Sequence, residues 1–327
     1  MNQRPFNRTG FEAAEVGLGA WQLGGEWGDV SDDQALSILH AAADHGVNFI
    51  DTADVYGAGR SESLIGRFLR DRSERFFVAT KLGRFPEPGG PQNLTEASFR
   101  EHTEASLKRL GVDALDLTQL HCIPTEEMRR GACFEWLRQL KQEGKIRHFG
   151  ASVESMEEAM ICLQHEDLTS LQIIFNIFRQ KPIDELFSQA HSQGVALIIR
   201  LPLASGLLSG KFRPDTQFPE NDHRHFNRDG QRFNVGETFA GLPFEQGVEL
   251  AEGLRAYKPE GMTLAQMAIR WILDFEAVSV VIPGAKRVEQ VTSNTACSTL
   301  PRLPEELHHQ LRTYYEERVR QHIRGPY

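Results

Sequence analysis

Apolar and polar positions alternate along the chain in a way that predicts helices and strands in turn. After the capping pattern that begins at Ser31, apolar residues recur at Ala35, Ile38 and Leu39, which is the spacing of one helix face. Residues 47–50 then form an unbroken apolar run, which is typical of a strand buried on both faces. This helix and strand unit repeats through most of the chain and indicates an α/β fold.

The repeated unit predicts a set of strands separated by helices. The eight predicted strands are residues 15–19, 47–50, 76–80, 115–120, 146–151, 171–175, 195–199 and 278–282. This is the strand number of a closed (β/α)₈ barrel of the TIM type, which is the predicted fold class. An open, doubly wound sheet with the same number of strands is the alternative that the pattern leaves open.

Two segments lie outside the repeat. Residues 212–242 form a long polar loop after the seventh strand, and loops of this length usually have a function or are disordered. Residues 304–320 predict one further helix at the carboxyl end of the barrel sequence. No linker or shift in composition divides the chain, so residues 1–327 are predicted to form one barrel domain.

Composition narrows the functional classes. The formal net charge is −9 and no basic stripe is present, which argues against general nucleic-acid binding. No apolar run approaches about 18 residues, so no membrane-spanning helix is predicted. The chain begins without the apolar segment of a secretory signal, and its four cysteines form no Cys-x-x-Cys pair, so a cytoplasmic location is expected. No motif indicates a metal site or a subunit interface, and a monomer is expected.

Polar residues follow directly after several of the apolar runs. These strand-end residues are Asp51, Lys81, His121, Ser152, Asn176 and Arg200. In a parallel barrel the carboxyl ends of all strands open on one face, and barrel enzymes carry their catalytic groups there. The sequence therefore predicts an enzyme whose active site lies at the carboxyl end of the barrel.

Several segments resemble the conserved blocks of the aldo-keto reductase superfamily. They are GVNFIDTADVYG at residues 46–57, TKLG at 80–83, LDLTQLH at 115–121, PLASGLLSGK at 202–211 and IPGA at 282–285. The details look most similar to the branch that contains bacterial stress-type reductases and potassium-channel β subunits. The resemblance implies a (β/α)₈ barrel that reduces aldehydes or ketones with NADPH.

The resemblance assigns the catalytic roles to Asp51, Tyr56, Lys81 and His121. Reduction of a carbonyl requires a proton for the developing alkoxide, and a tyrosine hydroxyl can supply it although its free pKa is about 10. An ammonium beside Tyr56 would stabilise the phenolate, and Asp51 would hold Lys81 in place. His121 would bind the substrate oxygen. Trp27 and Cys122 are expected beside Tyr56 and His121 in the substrate pocket, although Cys122 equally fits the core.

The cofactor site is also implied by the resemblance. Its expected residues are Ala20, Trp21, Asp51, Ser152, Gln172, Arg200, Pro202, Leu203, Ser205, Gly206, Lys211, Gly284, Lys286, Arg287, Gln290 and Asn294. Ser152 and Gln172 match groups that bind the nicotinamide carboxamide. Lys286 and Arg287 suit the additional phosphate that distinguishes NADPH from NADH.

Two positions depart from the family pattern. Val153 replaces the asparagine that usually follows the serine of the fifth strand, so the resemblance does not supply one of the family's carboxamide contacts. Arg200 replaces the aromatic ring that usually packs on the nicotinamide, and we expect Arg200 to lie beside the nicotinamide or to meet an anionic substrate. Two other functions stay open: a cofactor-bound sensor or auxiliary subunit with little turnover, and an NADP-dependent alcohol dehydrogenase.

Overall fold

The computed structural model describes residues 1–86 and 89–327, and a parallel β-barrel forms its centre. The ten described strands are β1 (Gln3–Pro5), β2 (Glu12–Ala14), β3 (Leu18–Gly19), β4 (Phe49–Asp51), β5 (Phe77–Leu82), β6 (Leu115–His121), β7 (Ile146–Ser152), β8 (Ser170–Ile174), β9 (Ala196–Arg200) and β10 (Val278–Val281). Strands β3 to β10 pair in parallel with their neighbours along the chain. Each lies within a few residues of a predicted strand.

The first and last barrel strands meet, which closes the sheet. Val16 forms a parallel bridge with Val281, and Gly19 forms another with Gly284. The amide of Gly17 donates to the carbonyl of Val281 at 2.8 Å. The predicted (β/α)₈ barrel is therefore confirmed, and the open doubly wound sheet is excluded.

Helices surround the barrel. They are α1 (Trp21–Gly24), α2 (Asp32–Asp44), α3 (Arg60–Arg70), α4 (Glu96–Leu110), α5 (Thr125–Arg130), α6 (Ala132–Gln142), α7 (Met156–Cys162), α8 (Pro182–Glu185), α9 (Phe187–Ser192), α10 (His223–Phe226), α11 (Phe244–Gly253), α12 (Leu264–Leu273), α13 (Val288–Ala296) and α14 (Glu305–Tyr314). The side chains of Ser31 and Thr263 cap α2 and α12 as their sequences predict. In the described part of the chain, every helix is too short or too polar to cross a bilayer.

The amino-terminal hairpin of β1 and β2 was not predicted. Its strands have three residues each, too few for an alternating pattern to show. Phe6 and Ala13 of this segment are fully buried and pack with Phe49 and Phe77 inside the barrel. The ring centroids of Phe6 and Phe49 lie 5.2 Å apart. The hairpin therefore closes the amino end of the barrel.

The long polar loop after β9 is folded and lies across the carboxyl end of the barrel. It contains α10 and two short 3-10 turns, at Val235–Glu237 and Phe239–Gly241. Trp27 forms an antiparallel bridge with Asp222, and the His223 amide donates to the carbonyl of Glu26 at 2.8 Å. The predicted carboxyl-terminal helix is α14. A π-helical turn at Tyr315–Val319 and a 3-10 turn at Arg320–His322 follow it directly.

Candidate active site at the carboxyl end of the barrel

A cavity of about 480 Å³ opens at the carboxyl end of the barrel strands. The predicted site residues that line it are Trp21, Trp27, Asp51, Tyr56, His121, Ser152, Gln172, Arg200, Pro202, Leu203, Ser205, Gly206, Lys211, Gly284, Lys286, Arg287 and Gln290. Four predicted residues, Ala20, Lys81, Cys122 and Asn294, lie behind this lining rather than on it. The side-chain amide of Asn294 contacts the backbone of the lining, where it donates to the carbonyl of Gly284 at 3.4 Å.

Three of the predicted catalytic residues form a connected group. Lys81 lies near the end of β5, and its Nζ donates to Asp51 Oδ1 at 2.6 Å and to the carbonyl of Thr52 at 2.8 Å. The same Nζ lies 3.2 Å from Tyr56 Oη. The neighbouring strands β4 and β5 are parallel, so both end at the carboxyl end of the barrel. This brings Asp51 and Lys81 together. Lys81 thus contacts both the carboxylate and the phenol.

The hydroxyl of Tyr56 keeps its proton at neutral pH. Burial raises the pKa of Tyr56 to about 12, and the ammonium of Lys81 opposes that rise. Burial therefore outweighs the ammonium that we expected to lower the value. A protonated hydroxyl on the cavity wall can donate a proton, and an ammonium beside it can stabilise the phenolate that would remain.

The second oxygen of the Asp51 carboxylate is bound by two amides inside the barrel. Oδ2 accepts from Gln172 Nε2 at 2.6 Å and from Gln119 Nε2 at 3.2 Å. Gln172, which we expected at the nicotinamide carboxamide, also accepts from the Ser152 hydroxyl at 3.4 Å. A buried carboxylate with an ammonium and two amide donors is well compensated, which explains how Asp51 holds Lys81 in place.

His121 faces the same part of the cavity as an uncharged imidazole. Burial, together with the cations Arg84 and Lys81, holds the pKa of His121 well below its usual range. Its ring meets that of Tyr56 edge to face, with the centroids 5.8 Å apart. Its buried Nδ1 has no hydrogen-bond partner among the described residues. A neutral ring beside the phenol offers a hydrogen bond to a substrate oxygen without adding charge.

Aromatic side chains form the outer wall of the cavity. The Trp21 ring lies parallel to that of Tyr56 at 5.8 Å, and it meets Trp27 edge to face at 5.5 Å. His223 of the long loop packs on Trp27 at 4.3 Å. Trp27 therefore lies on the cavity wall, where the long loop packs against it.

A charged cluster borders the cavity next to His121. Arg84 Nη1 donates to Glu237 Oε1 at 2.9 Å, and Arg200 Nη1 lies 3.8 Å from Glu237 Oε2. The two guanidinium groups hold the pKa of Glu237 well below its usual range, while burial and Glu237 raise the pKa of Glu154 to about 7. The loop carboxylate Glu237 thus connects the ends of two strands.

Arg200 is engaged by protein groups. Its Nη2 donates to the carbonyl of Val153 at 3.1 Å and lies 3.5 Å from Cys122 Sγ. Cys122, Glu154 and Glu237 place possible ligand atoms within 4.8 Å of one another. Burial raises the pKa of the Cys122 thiol to about 12, and the adjacent guanidinium group repels a cation, so the chemistry of this cluster opposes a metal.

Comparison with known proteins identifies the family. Residues 15–316 match the family model described as the Aldo/keto reductase family. The chain belongs to this family. It is an oxidoreductase, and the cofactor of the family is NADP(H). The fold and the predicted resemblance are thereby confirmed.

Individual relatives differ in their described roles. A probable voltage-gated potassium channel subunit beta of Oryza sativa subsp. japonica is 30% identical over 94% of this chain and 94% of its own. The solved glycerol dehydrogenase AKR11B4 from Gluconobacter oxydans is 29% identical, with a TM-score of 0.74 over 94% and 93% of the two chains. An aldo-keto reductase from Klebsiella pneumoniae in complex with NADPH shows the same fold, with a TM-score of 0.71 over 98% and 99% of the chains at 23% identity.

Cations on the cavity wall are suited to the phosphate groups of a dinucleotide. They are Lys211, Lys286 and Arg287. Gln290 Oε1 accepts from the backbone amides of Lys286 and Arg287 at 2.7 and 3.1 Å, which fixes both residues at the beginning of α13. Lys286 Nζ donates to the carbonyl of Trp27 at 2.6 Å. Cations held at a helix amino terminus are suited to phosphate groups.

Sequence reasoning missed several residues of this site. Arg84 lies three positions after Lys81, so the strand-end rule that identified Lys81 could have indicated it. Glu237, Arg232 and Phe233 belong to the long loop, where periodicity gives no signal. They reach the cavity because the loop folds back across the barrel.

A buried carboxyl group near the catalytic motif predicts a pH-dependent stability. Asp54 is fully buried, and neither carboxyl oxygen has a hydrogen-bond partner among the described residues; His102 Nδ1 lies 3.5 Å away without hydrogen-bond geometry. Burial and the nearby Glu62 raise the pKa of Asp54 from 3.8 to about 8. The folded state thus keeps a proton that the unfolded state releases, so the free energy of unfolding falls as pH rises from about 4 to about 8.

Asp54→Asn is expected to remove that part of the pH dependence. At pH 8 the variant should unfold with a free energy about 1–3 kcal/mol higher than the wild type, because an amide cannot ionise. Urea denaturation between pH 5 and pH 9 measures it. Asp113→Asn, at a position outside the buried core, is the control. A parallel pH profile for Asp54→Asn and the wild type would show that Asp54 is ionised in the folded protein.

Proposed function

We propose that this protein is an NADPH-dependent carbonyl reductase that converts aldehydes or ketones to alcohols. The observation that carries the proposal is the Tyr56 hydroxyl on the cavity wall, 3.2 Å from the ammonium of Lys81 and edge to face with the neutral His121. A protonated phenol with a buried cation behind it is a proton donor for a developing alkoxide. The family's cofactor supplies the hydride when it is bound.

Each residue of the group around Tyr56 has a separate role in the proposed proton transfer. Tyr56 and His121 would hydrogen-bond the carbonyl oxygen and orient it. As negative charge grows on that oxygen, Tyr56 donates its proton, and Lys81 stabilises the phenolate that is left. Asp51 keeps the ammonium charged and fixed. Trp21 and Trp27 exclude water from the reacting groups, which strengthens these interactions.

Consumption of NADPH, followed by absorbance, tests the proposal. A panel of aldehydes, ketones and quinones would be offered to the wild-type protein, and the reverse reaction would be measured with alcohols and NADP⁺. Turnover of carbonyl compounds supports the proposal and begins to define the substrate. Binding of NADPH without turnover of any compound contradicts it.

A second candidate function comes from the comparison with channel subunits. The relative from Oryza sativa is described as a channel subunit, so the barrel of this chain would serve another protein in the same way. That function predicts tight retention of NADPH and negligible steady-state turnover. The measurement above separates the two candidates. The structure from Gluconobacter oxydans is described as a glycerol dehydrogenase, and if this chain is an alcohol dehydrogenase we expect the faster rate with alcohols and NADP⁺.

The preference for NADPH over NADH is expected to depend on Arg287. Arg287 is exposed and lines the cavity beside Lys286, where the additional phosphate would lie. Loss of a charge-assisted hydrogen bond to phosphate weakens binding about 10- to 100-fold. Arg287→Ala should therefore weaken NADPH binding by this factor and leave NADH binding unchanged, as measured by quenching of tryptophan fluorescence. Arg318→Ala, exposed beyond α14, is the control. Equal loss for both cofactors would place the phosphate elsewhere.

A further inference from the structure

The substrate end of the cavity carries more positive than negative charge. Arg84, Arg200 and Arg232 line the cavity there, and Glu237 is the carboxylate between the first two. Arg84 Cζ lies 5.6 Å from the ring centroid of Phe233, and Phe233 and the adjacent Arg232 line the same cavity. His121 adds no charge, and Glu154, whose pKa burial raises to about 7, does not line the cavity, so the lining itself carries the excess of positive charge.

Acidic residues elsewhere on the cavity wall do not offset this excess. The carboxylate of Asp51 is paired with Lys81 at 2.6 Å. Glu26 lies on the exposed outer rim, where its Oε2 accepts from the indole nitrogen of Trp21 at 2.8 Å. Among the described residues, the three arginines therefore share a single nearby carboxylate that lines the cavity.

The three guanidinium groups differ in how much of their hydrogen-bonding capacity is free. Arg200 is held by the carbonyl of Val153 and by Cys122, so it acts mainly as a fixed charge. Among residues 1–86 and 89–327, the one hydrogen-bond partner of the Arg84 guanidinium is Glu237, which Nη1 contacts, and the side chain of Arg84 is 24% exposed. Arg232 is exposed, and its side chain pairs with no carboxylate in residues 1–86 and 89–327. Arg84 and Arg232 thus keep donors for a ligand.

The carboxylate of Glu237 contacts two of the three arginines, Arg84 and Arg200. The carboxylate belongs to the 3-10 turn Val235–Glu237, which Asn234 caps by accepting from the amide of Gly236 at 2.7 Å. One oxygen binds Arg84 at 2.9 Å and the other faces Arg200 at 3.8 Å, so the same carboxylate attracts both guanidinium groups. A fork of N–H donors held in this way suits a carboxylate or phosphate, which accepts two parallel hydrogen bonds.

We propose that the substrate is an anionic carbonyl compound, whose carboxylate or phosphate is bound by Arg84 and Arg232 while its carbonyl oxygen meets Tyr56 and His121. This inference rests on the proposed carbonyl reduction and names the substrate class of the same site. The fixed charge of Arg200 adds to the attraction. The anion contributes to binding before and during the reaction, so its loss raises KM more than it lowers kcat.

Paired substrates test the proposal at low ionic strength. Para-carboxybenzaldehyde is compared with its methyl ester, and glyceraldehyde phosphate with glyceraldehyde, so the two pairs distinguish a carboxylate from a phosphate. In at least one pair, kcat/KM of the wild type is expected to be about tenfold or more higher for the anion. Raising the salt concentration should reduce that ratio, because the cluster is partly exposed.

Two variants assign the preference to residues. Arg84→Gln and Arg232→Gln should each lower the ratio severalfold to tenfold, mainly through KM of the anion. Arg232 is exposed, so its variant folds even if Arg84→Gln disturbs the pairing with Glu237. Arg213→Gln, at an exposed position in the same loop outside the cavity, is the matched control and should leave the ratio unchanged.

The outcomes separate this inference from the proposed function. Equal kcat/KM within both pairs, or a wild-type ratio that survives in both variants, would overturn the inference while the reduction of neutral aldehydes still supports a reductase. No reduction of any of the four aldehydes would overturn the inference and count against the proposed function as well.

Discussion

Tyr56→Phe is expected to lower kcat for aldehyde reduction by about 10²–10⁴-fold. The variant removes one oxygen atom, the hydroxyl that lies 3.2 Å from Lys81 Nζ on the cavity wall. Packing is preserved, because the ring still lies parallel to Trp21 at 5.8 Å. NADPH binding should therefore stay within about twofold of the wild type. The reaction would lose its proton donor and keep its cofactor.

Single-turnover kinetics with saturating NADPH would measure this effect on the chemical step. Tyr257→Phe is the control, because Tyr257 is half-buried against Tyr314, whose ring centroid lies 5.6 Å away, and it does not line the cavity. A Tyr56→Phe variant with the wild-type rate would mean that another group, such as His121, supplies the proton.

Lys81→Met is expected to lower the free energy of unfolding by about 3–5 kcal/mol, besides abolishing most activity. The side chain of Lys81 is 1% exposed and that of Asp51 is 4% exposed, so neither charge is solvated in the folded protein. Removal of the ammonium leaves the Asp51 carboxylate with only the amides of Gln119 and Gln172. An uncompensated charge in the barrel interior is the physical reason for the loss.

A double variant distinguishes the effect of the buried charge on stability from the effect of lost side-chain packing. Asp51→Asn combined with Lys81→Met should regain part of the lost stability, because the buried charge is gone. Urea denaturation of the single and double variants measures the coupling free energy. Lys141→Met, at an exposed position on α6, should stay within about 0.5 kcal/mol of the wild type. A double variant no more stable than Lys81→Met alone would place the loss in packing.

The predictable part of this molecule is the part that repeats. Buried strands are recognised as unbroken apolar runs, and the position at which each run ends is enough to assign Asp51, Lys81 and His121 to one face of the barrel. The hairpin next to Phe6 escapes prediction because three-residue strands have no period. Short elements are specified by what they pack against, and such contacts are not visible along the sequence.

The contacts within the charged cluster of Arg84, Arg200 and Glu237 could not be predicted from the sequence either. Arg84 and Glu237 are 153 positions apart, and their contact exists only because the long loop crosses the barrel. Arg200 could be recognised as a departure from the family pattern, yet the carbonyl of Val153 that holds it could not. The position of a charged side chain is predictable from a strand end, whereas its partners depend on the loops that cover that end.

The buried phenylalanine side chains at the amino end of the barrel also determine where ligands can enter and leave the cavity. Phe6 packs against Phe49 at 5.2 Å and fills the amino end of the barrel, so in the part of the chain that the structure describes the cavity opens at the carboxyl end, under the long loop. A cofactor and a carbonyl compound that both bind in this cavity would therefore have to share one entrance, and each would have to leave by the opening through which it came.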